Sequence, residues 1–507
     1  MASNGIFCEK HINTNTKRYI ESVPQWAWSS PLRDGKELYH VMRYIEQATN
    51  NDDSGATAAT TTTTAITPTS PVGPRFIEAT TDLPASGTTT DPGEGSDERE
   101  GQRTVTIADI WEAHKLLKPR LHHTPLSPSR TLHDLTGADI YLKEENTQRS
   151  GSFKVRGASF KISRLSEQEY RRGVIAASAG NHAQGVAIAA AQYNIPCTIV
   201  MPETAPLAKV TATQGYGANV VLHGFTYDDA YEHCLQLQQE SGAAFIHAFD
   251  DPDIIAGQGT LGLEMLSDLP DADALVVPIG GGGLISGIAI AARALRPNIT
   301  IIGVQAEGAA GCRASLDAGT LQTLPTITTI ADGIAVKRPG ALTFSIISRL
   351  VDDVVLVNDE AIISAVLLLM ERSKLLVEGA GAAGVAALLS GTVSLRGKKV
   401  LVPLTGGNID INLVGRFIEH GLAAAGRYFV IHTKLADRPG ELMRLLNIIA
   451  EMRINVIDVR HQRISSRLPI MQREETLTLE TRDRAQCEQL LRRLREAGYV
   501  VEEAQPL

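Results

Sequence analysis

The sequence predicts an α/β fold built on parallel sheets, followed by a small ferredoxin-like module. Three observations carry this. Between Thr104 and Asn408, short β-branched runs alternate with alanine-rich, helix-like stretches, the pattern of strands joined by covering helices. Segments rich in glycine and hydroxyls stand directly after three of those strands, where ligands sit in parallel α/β folds. From about Tyr428 the order changes to strand, helix, strand, strand, helix, strand, which is the ferredoxin-like arrangement.

Taken in order, residues 1–50 hold two of the three tryptophans, Trp26 and Trp28, with Tyr19, Tyr39 and Tyr44, so this extension is not a featureless tail, although its role is unreadable. Residues 51–103 turn to Thr, Ala, Gly, Pro, Ser and acids, including the run Thr60 to Thr64. Such a segment buries too little apolar surface to offset chain entropy and reads as a disordered linker. Order begins near Thr104, with Thr106 placed to cap a helix carrying Ile107, Ile110 and Trp111, and Asp109 at the capping-box position. Strands are expected at Ile140–Glu144, Val174–Ala177, Thr198–Val200, Asn219–Leu222, Ala274–Pro278 and Thr300–Val304, with helices over Ala183–Gln192 and Leu284–Leu295. The C-terminal module reads as strand Phe429–Leu435, helix Gly440–Arg453, strands Val456–Ile464 and Glu475–Glu480, helix Arg484–Ala497 and strand Tyr499–Glu502. At this size it is small for independent stability, so pairing with a second copy is expected. The resulting division is 1–50, 51–103, 104–425 and 426–507.

Of the 507 residues, 43% are hydrophobic and 21% charged, an ordinary globular composition. The net charge of -9 argues against nucleic acid or an anionic membrane as the main partner, since no excess of cations exists to neutralise phosphates. The five cysteines, Cys8, Cys197, Cys234, Cys312 and Cys487, lack the paired spacing of a zinc site or a disulfide framework, which points to a reducing cytoplasm. No apolar run approaches the ~18 residues that span a bilayer.

Four segments carry candidate chemistry. In Ser150-Gly151-Ser152-Phe153-Lys154-Val155-Arg156-Gly157, a lysine hemmed in by small residues and an aromatic can be desolvated into a nucleophilic amine, although an isolated lysine is more often a solvated surface residue. In Val277 to Gly287, the glycines Gly280, Gly281, Gly282 and Gly283 lie between a buried strand and a helix. Successive amides there can converge on a phosphate, or the glycines can serve a plain turn. The run is neither a Walker pattern nor a dinucleotide fingerprint. Ser178, Ala179, Gly180 and Asn181 open a helix and suit a carboxylate; the alternative is that Asn181 caps the helix and His182 is a packed core histidine. Thr405, in Val402 to Asn408, offers a hydroxyl to a ring nitrogen, or belongs to a turn.

Together these segments resemble the fold-type II pyridoxal-phosphate enzymes, closest to the threonine dehydratase (threonine ammonia-lyase) group that includes serine dehydratase and serine racemase. The resemblance runs from about Thr104 to Arg427, with supporting matches at Ala256 to Thr260, Ala331 to Arg338 and Glu378 to Ala382. It implies two lobes of parallel sheet, Lys154 as the Schiff-base lysine, Phe153 packed on the ring and Asn181 on its hydroxyl. Gly280 to Gly283 would then hold the phosphate, Thr405 would face the ring nitrogen, and Ser178 to His182 would bind the substrate. Position 405 is Thr where the group usually has Ser or Cys. Gln305 and Gly311 stand where the racemase branch supplies metal-coordinating acids, so no metal is expected. The C-terminal module resembles an ACT regulatory domain, with Asp437 to Leu442 as its ligand turn and further matches at Asn455 to His461 and Leu468-Pro469; a dimerisation role alone is the alternative.

The resemblance implies conversion of L-threonine to 2-oxobutanoate and ammonia, with L-serine as a secondary substrate, in a cytoplasmic homo-oligomer, dimer or tetramer. A branched-chain amino acid would act at the module, as in isoleucine biosynthesis. Serine dehydration or racemisation on the same scaffold, and amino-acid sensing without turnover, are the rival readings.

Overall fold

A computed structural model describes residues 103–462 and 471–504. The N-terminal extension over 1–50, the linker expected over 51–103 apart from its last residue, and the Leu468-Pro469 match lie outside these residues. Thr106 caps the helix Ile107–Leu117 as expected. Its hydroxyl accepts from the Asp109 amide at 3.4 Å, while Asp109 Oδ2 accepts from the Thr106 amide at 2.8 Å.

The chain lays down β1 (Leu126–Pro128) and β2 (Asp139–Lys143), then β3 (Val174–Ala177), β4 (Cys197–Met201), β5 (Asn219–Leu222) and β6 (Ala244–Phe245). It continues through β7 (Ala274–Pro278), β8 (Thr300–Ala306), β9 (Asp353–Val357) and β10 (Lys399–Pro403). The strands segregate into two lobes. β5-β4-β3-β6 form a parallel sheet, and β1-β2-β10-β7-β8-β9 form a second, parallel except that β1 runs against β2. The second sheet thus takes its first two strands from before the smaller lobe and the rest from after it. β3, β7 and most of β10 are buried along their length, which is why they read as continuous apolar runs rather than alternating ones.

The lobes are tied by helix contacts that only glycines permit. Helix Pro252–Asp268 packs against helices Lys154–Ser163 and Gly283–Leu295. A Cβ on Gly257 would lie 2.7 Å from Gly157 Cα and 2.8 Å from Arg156 O. Behind this contact, Arg156 is fully buried and bridged by both Glu145 (2.8 and 2.8 Å) and Glu264 (2.7 and 2.8 Å). The Arg156-Gly157-Ala158 match therefore belongs to the structural core beneath Lys154.

The C-terminal module comprises β11 (Tyr428–Ala436), β12 (Asn455–Gln462), β13 (Gln472–Glu480) and β14 (Val501–Ala504), in the antiparallel order β12-β13-β11-β14. Helices Glu441–Glu451 and Arg484–Glu496 supply Leu445, Ile449, Leu490 and Leu494 to a core with Ile431 and Leu477. This is the expected ferredoxin-like order. β13 begins three residues earlier than the sequence pattern implied, because Arg473 and Glu475 face the core as a charged pair (3.2 Å) and break the apolar alternation. The last strand begins later, since Tyr499 still donates its amide to Leu494 O at the helix end. No helix among the described residues is long and apolar enough to cross a membrane.

Candidate active site

Three neighbouring strands of the larger sheet, β2, β10 and β7, deliver the candidate residues from their carboxyl ends, and β3 of the smaller sheet delivers the fourth group. The segment after β2 is zipped to the segment after β10. Phe153 N–H donates to Thr405 O at 3.2 Å, Gly407 N–H donates to Gly151 O at 2.9 Å, and Ser152 and Gly406 form an isolated bridge. Lys154 opens the next helix. Its Nζ donates to Ala248 O at 2.9 Å and lies 5.3 Å from the centroid of the Phe153 ring. Helix Asn181–Tyr193 passes close by at Gly185, where a Cβ would lie 3.1 Å from Lys154 Cβ. Burial pulls the amine down to about 8, against the opposing pull of the Glu378 carboxylate, so a useful fraction is neutral and nucleophilic near neutral pH.

The cap of helix Asn181–Tyr193 is Gly180, with no side-chain cap bond, so the alternative role of Asn181 as the cap does not hold. Its amide instead bridges the lobes. Asn181 Nδ2 donates to Glu378 Oε1 at 2.5 Å, and Asn181 Oδ1 accepts from Asn408 Nδ2 at 2.7 Å, which also reaches Ser150 O at 2.7 Å. Ser178, Ala179 and Gly180 are half-buried, Ser178 Oγ accepts from Gly180 N–H at 3.2 Å, and a Cβ on Gly180 would meet nothing within 4 Å. His182 is buried behind them, with Nε2 2.8 Å from Ile246 O, and burial depresses it to about 3. It is a neutral, buried histidine whose ring is held by the Ile246 carbonyl.

Gly280 to Gly283 follow β7. Gly282 has φ 97°, a conformation that strains any side chain, and it turns the chain into helix Gly283–Leu295. Thr343 Oγ1 fixes the loop by donating to Gly281 O at 2.7 Å, while the Phe249 ring fills the space a Cβ on Gly281 would need. None of the amides from Gly280 to Ile285 donates to a backbone carbonyl, whereas Ser286 N–H is taken by Gly282 O at 3.0 Å. Thr405, after β10, is 3% exposed, and its hydroxyl has no hydrogen-bond partner among the described residues. The four groups thus present an amine, a set of free amides at a helix start, a free hydroxyl and an anchored amide.

The family model for pyridoxal-phosphate dependent enzymes matches residues 117–406. The chain belongs to that family. Its free groups fit the cofactor: an amine for the aldehyde, amides for the phosphate, and an uncommitted hydroxyl for the ring nitrogen. Among characterised pyridoxal-phosphate dependent enzymes, L-threonine ammonia-lyase of Thermotoga maritima is 50% identical over 397 residues, 78% of this chain and 99% of that protein. The catabolic L-threonine dehydratase TdcB of Escherichia coli is 46% identical over 314 residues, 62% of this chain and 95% of that protein. The maize serine racemase structure superposes with a TM-score of 0.60 at 37% identity, covering 64% of this chain and 99% of that one.

Glu378 is the residue whose place in the site sequence reasoning missed. It entered only as part of the Glu378 to Ala382 match. The available signal was a carboxylate heading a run of glycines and alanines that is otherwise too small and apolar to hold one. It is 4% exposed, and burial, then Asp332, push it up to about 7, while Asn181, Lys209 and Lys154 pull the other way.

Proposed function

We propose that this enzyme is an L-threonine ammonia-lyase, converting L-threonine to 2-oxobutanoate and ammonia, with L-serine as a secondary substrate. The observation that carries the chemistry is that Lys154, Thr405 and the free amides of Gly280 to Gly283 follow the ends of neighbouring strands of the larger sheet, with Asn181 reaching them from the smaller sheet through Glu378 and Asn408. The similarity to L-threonine ammonia-lyase of Thermotoga maritima supports the choice of substrate.

In this reading Lys154 Nζ would hold the cofactor and, as a free amine, would remove the Cα proton of the substrate. Pyridoxal phosphate supplies the electron sink for the charge left on Cα. Phe153 packs beside the ring, and Asn181 Nδ2 donates toward the ring hydroxyl. Gly280 to Gly283 bind the phosphate, and Thr405 Oγ1 pairs with the ring nitrogen. Being neutral, Thr405 would offer that nitrogen a hydrogen bond without an acid to protonate it. Ser178, Ala179 and Gly180 take the substrate carboxylate, and His182 supports them as packing.

Product analysis tests this directly: threonine should yield equal amounts of 2-oxobutanoate and ammonia, and absence of both would remove the proposal. Serine chemistry is the second reading, favoured by the likeness to maize serine racemase. One methyl group in a pocket discriminates by only ~10 to 200-fold, so the two substrates are compared by kcat/KM, and recovered serine by its chirality.

Residues 104–425 are assigned to catalysis and 426–507 to regulation by an amino acid such as isoleucine or valine. The match to the Thermotoga protein is longer than that to the Escherichia coli protein by about the size of this module, which supports a shared C-terminal region. A homo-oligomer paired through these modules and a cytoplasmic location complete the proposal. The free, buried Cys197, Cys234, Cys312 and Cys487 fit a reducing compartment.

A further inference from the structure

Glu378 makes a contact that a helix-opening residue does not need. It stands at the start of helix Gly379–Leu389 but forms no side-chain cap bond there. Its Oε1 instead reaches across the lobes to Asn181 Nδ2 at 2.5 Å. Two glycines are shaped around that oxygen: a Cβ on Gly333 would lie 3.2 Å from it, and one on Gly406 would collide with it. A buried carboxylate is costly unless something requires it, and an apolar residue would fill this cradle more cheaply.

The bonds around Asn181 are directional. Asn408 occupies its Oδ1 and Glu378 takes one Nδ2 hydrogen, which leaves the second Nδ2 hydrogen to offer a ligand. Lys154 shares the same enclosure: Glu378 N–H donates to Gly406 O at 3.0 Å, Gly406 is bridged to Ser152 two residues before Lys154, and the Glu378 charge opposes the fall in proton affinity of the Lys154 amine. Other titratable groups facing Glu378 are Asp332, on the turn Asp332–Ile334, and Lys209, on helix Leu207–Gly215. These two pair with each other at 2.7 Å, so their charges largely offset.

We propose that Glu378 is a positioning residue for the cofactor chemistry: its carboxylate anchors the Asn181 amide as a donor toward the cofactor and keeps the nitrogen on Lys154 protonated in the loaded enzyme. The proposal rests on the reading that Lys154 carries pyridoxal phosphate. A negative charge in a buried site favours a nearby cation, so removing it lowers the pH at which that nitrogen loses its proton. The direction is fixed by Coulomb's law and the size by the low local dielectric.

The test is a pH titration of the visible absorbance of lysine-bound cofactor in the holoenzyme. The wild-type enzyme must first show the band; its absence would refute Lys154 as the cofactor lysine rather than the role of Glu378. In Glu378→Gln the midpoint should fall by roughly one pH unit, a tenfold loss of proton affinity. Glu378→Asp keeps the charge and should stay closer to wild type than to Gln. Matching thermal melts of the three proteins would show that all are folded. A Gln variant whose midpoint stays within about 0.2 unit of wild type would overturn the proposal, since one unit is the expected effect of a nearby charge. So would an Asp variant shifted as far as Gln, because charge would then not be the cause.

Discussion

A lysine with its proton affinity lowered to about 8 differs from a surface lysine in a measurable way. Only the neutral amine attacks an aldehyde, so the rate at which cofactor-free enzyme captures pyridoxal phosphate should rise with pH and reach half its plateau near 8. An ordinary lysine would still be gaining rate near ~10.4. Stopped-flow absorbance after cofactor stripping reads the midpoint, and a value above about 9.5 would remove the burial argument. Lys154→Ala should lose both the visible absorbance and turnover. Thr405 is 3% exposed and its hydroxyl has no partner among the described residues, so Thr405→Val, close in shape, removes one polar function. A buried ring nitrogen left without its partner costs about 1–3 kcal/mol, and cofactor affinity should fall roughly 5 to 150-fold, measured by equilibrium dialysis. Lys154, Asn181 and Thr405 were legible because each sits in a run of small or hydroxyl residues at a strand end, a local pattern. Glu378 was not, because its partner Asn181 is 197 positions away, and the one local signal, a carboxylate heading an apolar run, does not say what it meets.

At the scale of elements, strands and helices followed from apolar runs and capping residues, and the expected boundaries over β3, β5 and β7 coincide with those observed. Hidden from the sequence was how the lobes are joined, which depends on two glycines meeting at Gly157 and Gly257 and on ion pairs between elements far apart in the chain. Arg156 illustrates the cost of such a joint. Burial alone would lower its proton affinity, but the Glu145 and Glu264 carboxylates overcome that and raise it. Arg156→Leu would leave the buried Glu145 without its cation and Glu264 with only Lys143 at 3.4 Å and His123 at 3.7 Å, and we expect a loss of about 3–5 kcal/mol in stability, read from denaturant unfolding. A loss below about 1 kcal/mol would mean that the cluster tolerates neutralisation. The pH dependence has a definite sign. Burial raises Glu264, Arg156 outweighs it, and the net folded-state value lies below the ordinary 4.5. Its stabilising contribution is therefore complete above 4.5 and is lost as pH falls through the depressed folded value, and Arg156→Leu should flatten that acid limb.

For the whole molecule, the question is how a ligand at the C-terminal module would reach Lys154. Helix Ile411–Ala424 begins three residues after Asn408 and ends four before β11, so it is covalently continuous with both the Thr405 to Asn408 segment and the module. It packs on helix Asp359–Leu368, and a Cβ on Gly421 would collide with Leu367. That second helix continues as a π turn over Leu369–Ser373 and ends at Lys374, four residues before Glu378, and Arg427 approaches Glu371 at 3.9 Å. A movement of the module thus has two routes to the site, one ending at Asn408 and one at Glu378, which hold opposite ends of the Asn181 amide. Coupling free energies between such sites are typically 1–3 kcal/mol, so isoleucine or valine bound to the full-length holoenzyme should change the apparent KM for threonine by roughly 5 to 150-fold. Gly421→Ala, which must displace the Leu367 side chain between the two helices, should shrink that change while leaving the calorimetric heat of effector binding in place. Coupling unaltered in Gly421→Ala would exclude the helix contact as the route. No heat and no change in KM with either amino acid would leave the module with oligomerisation alone.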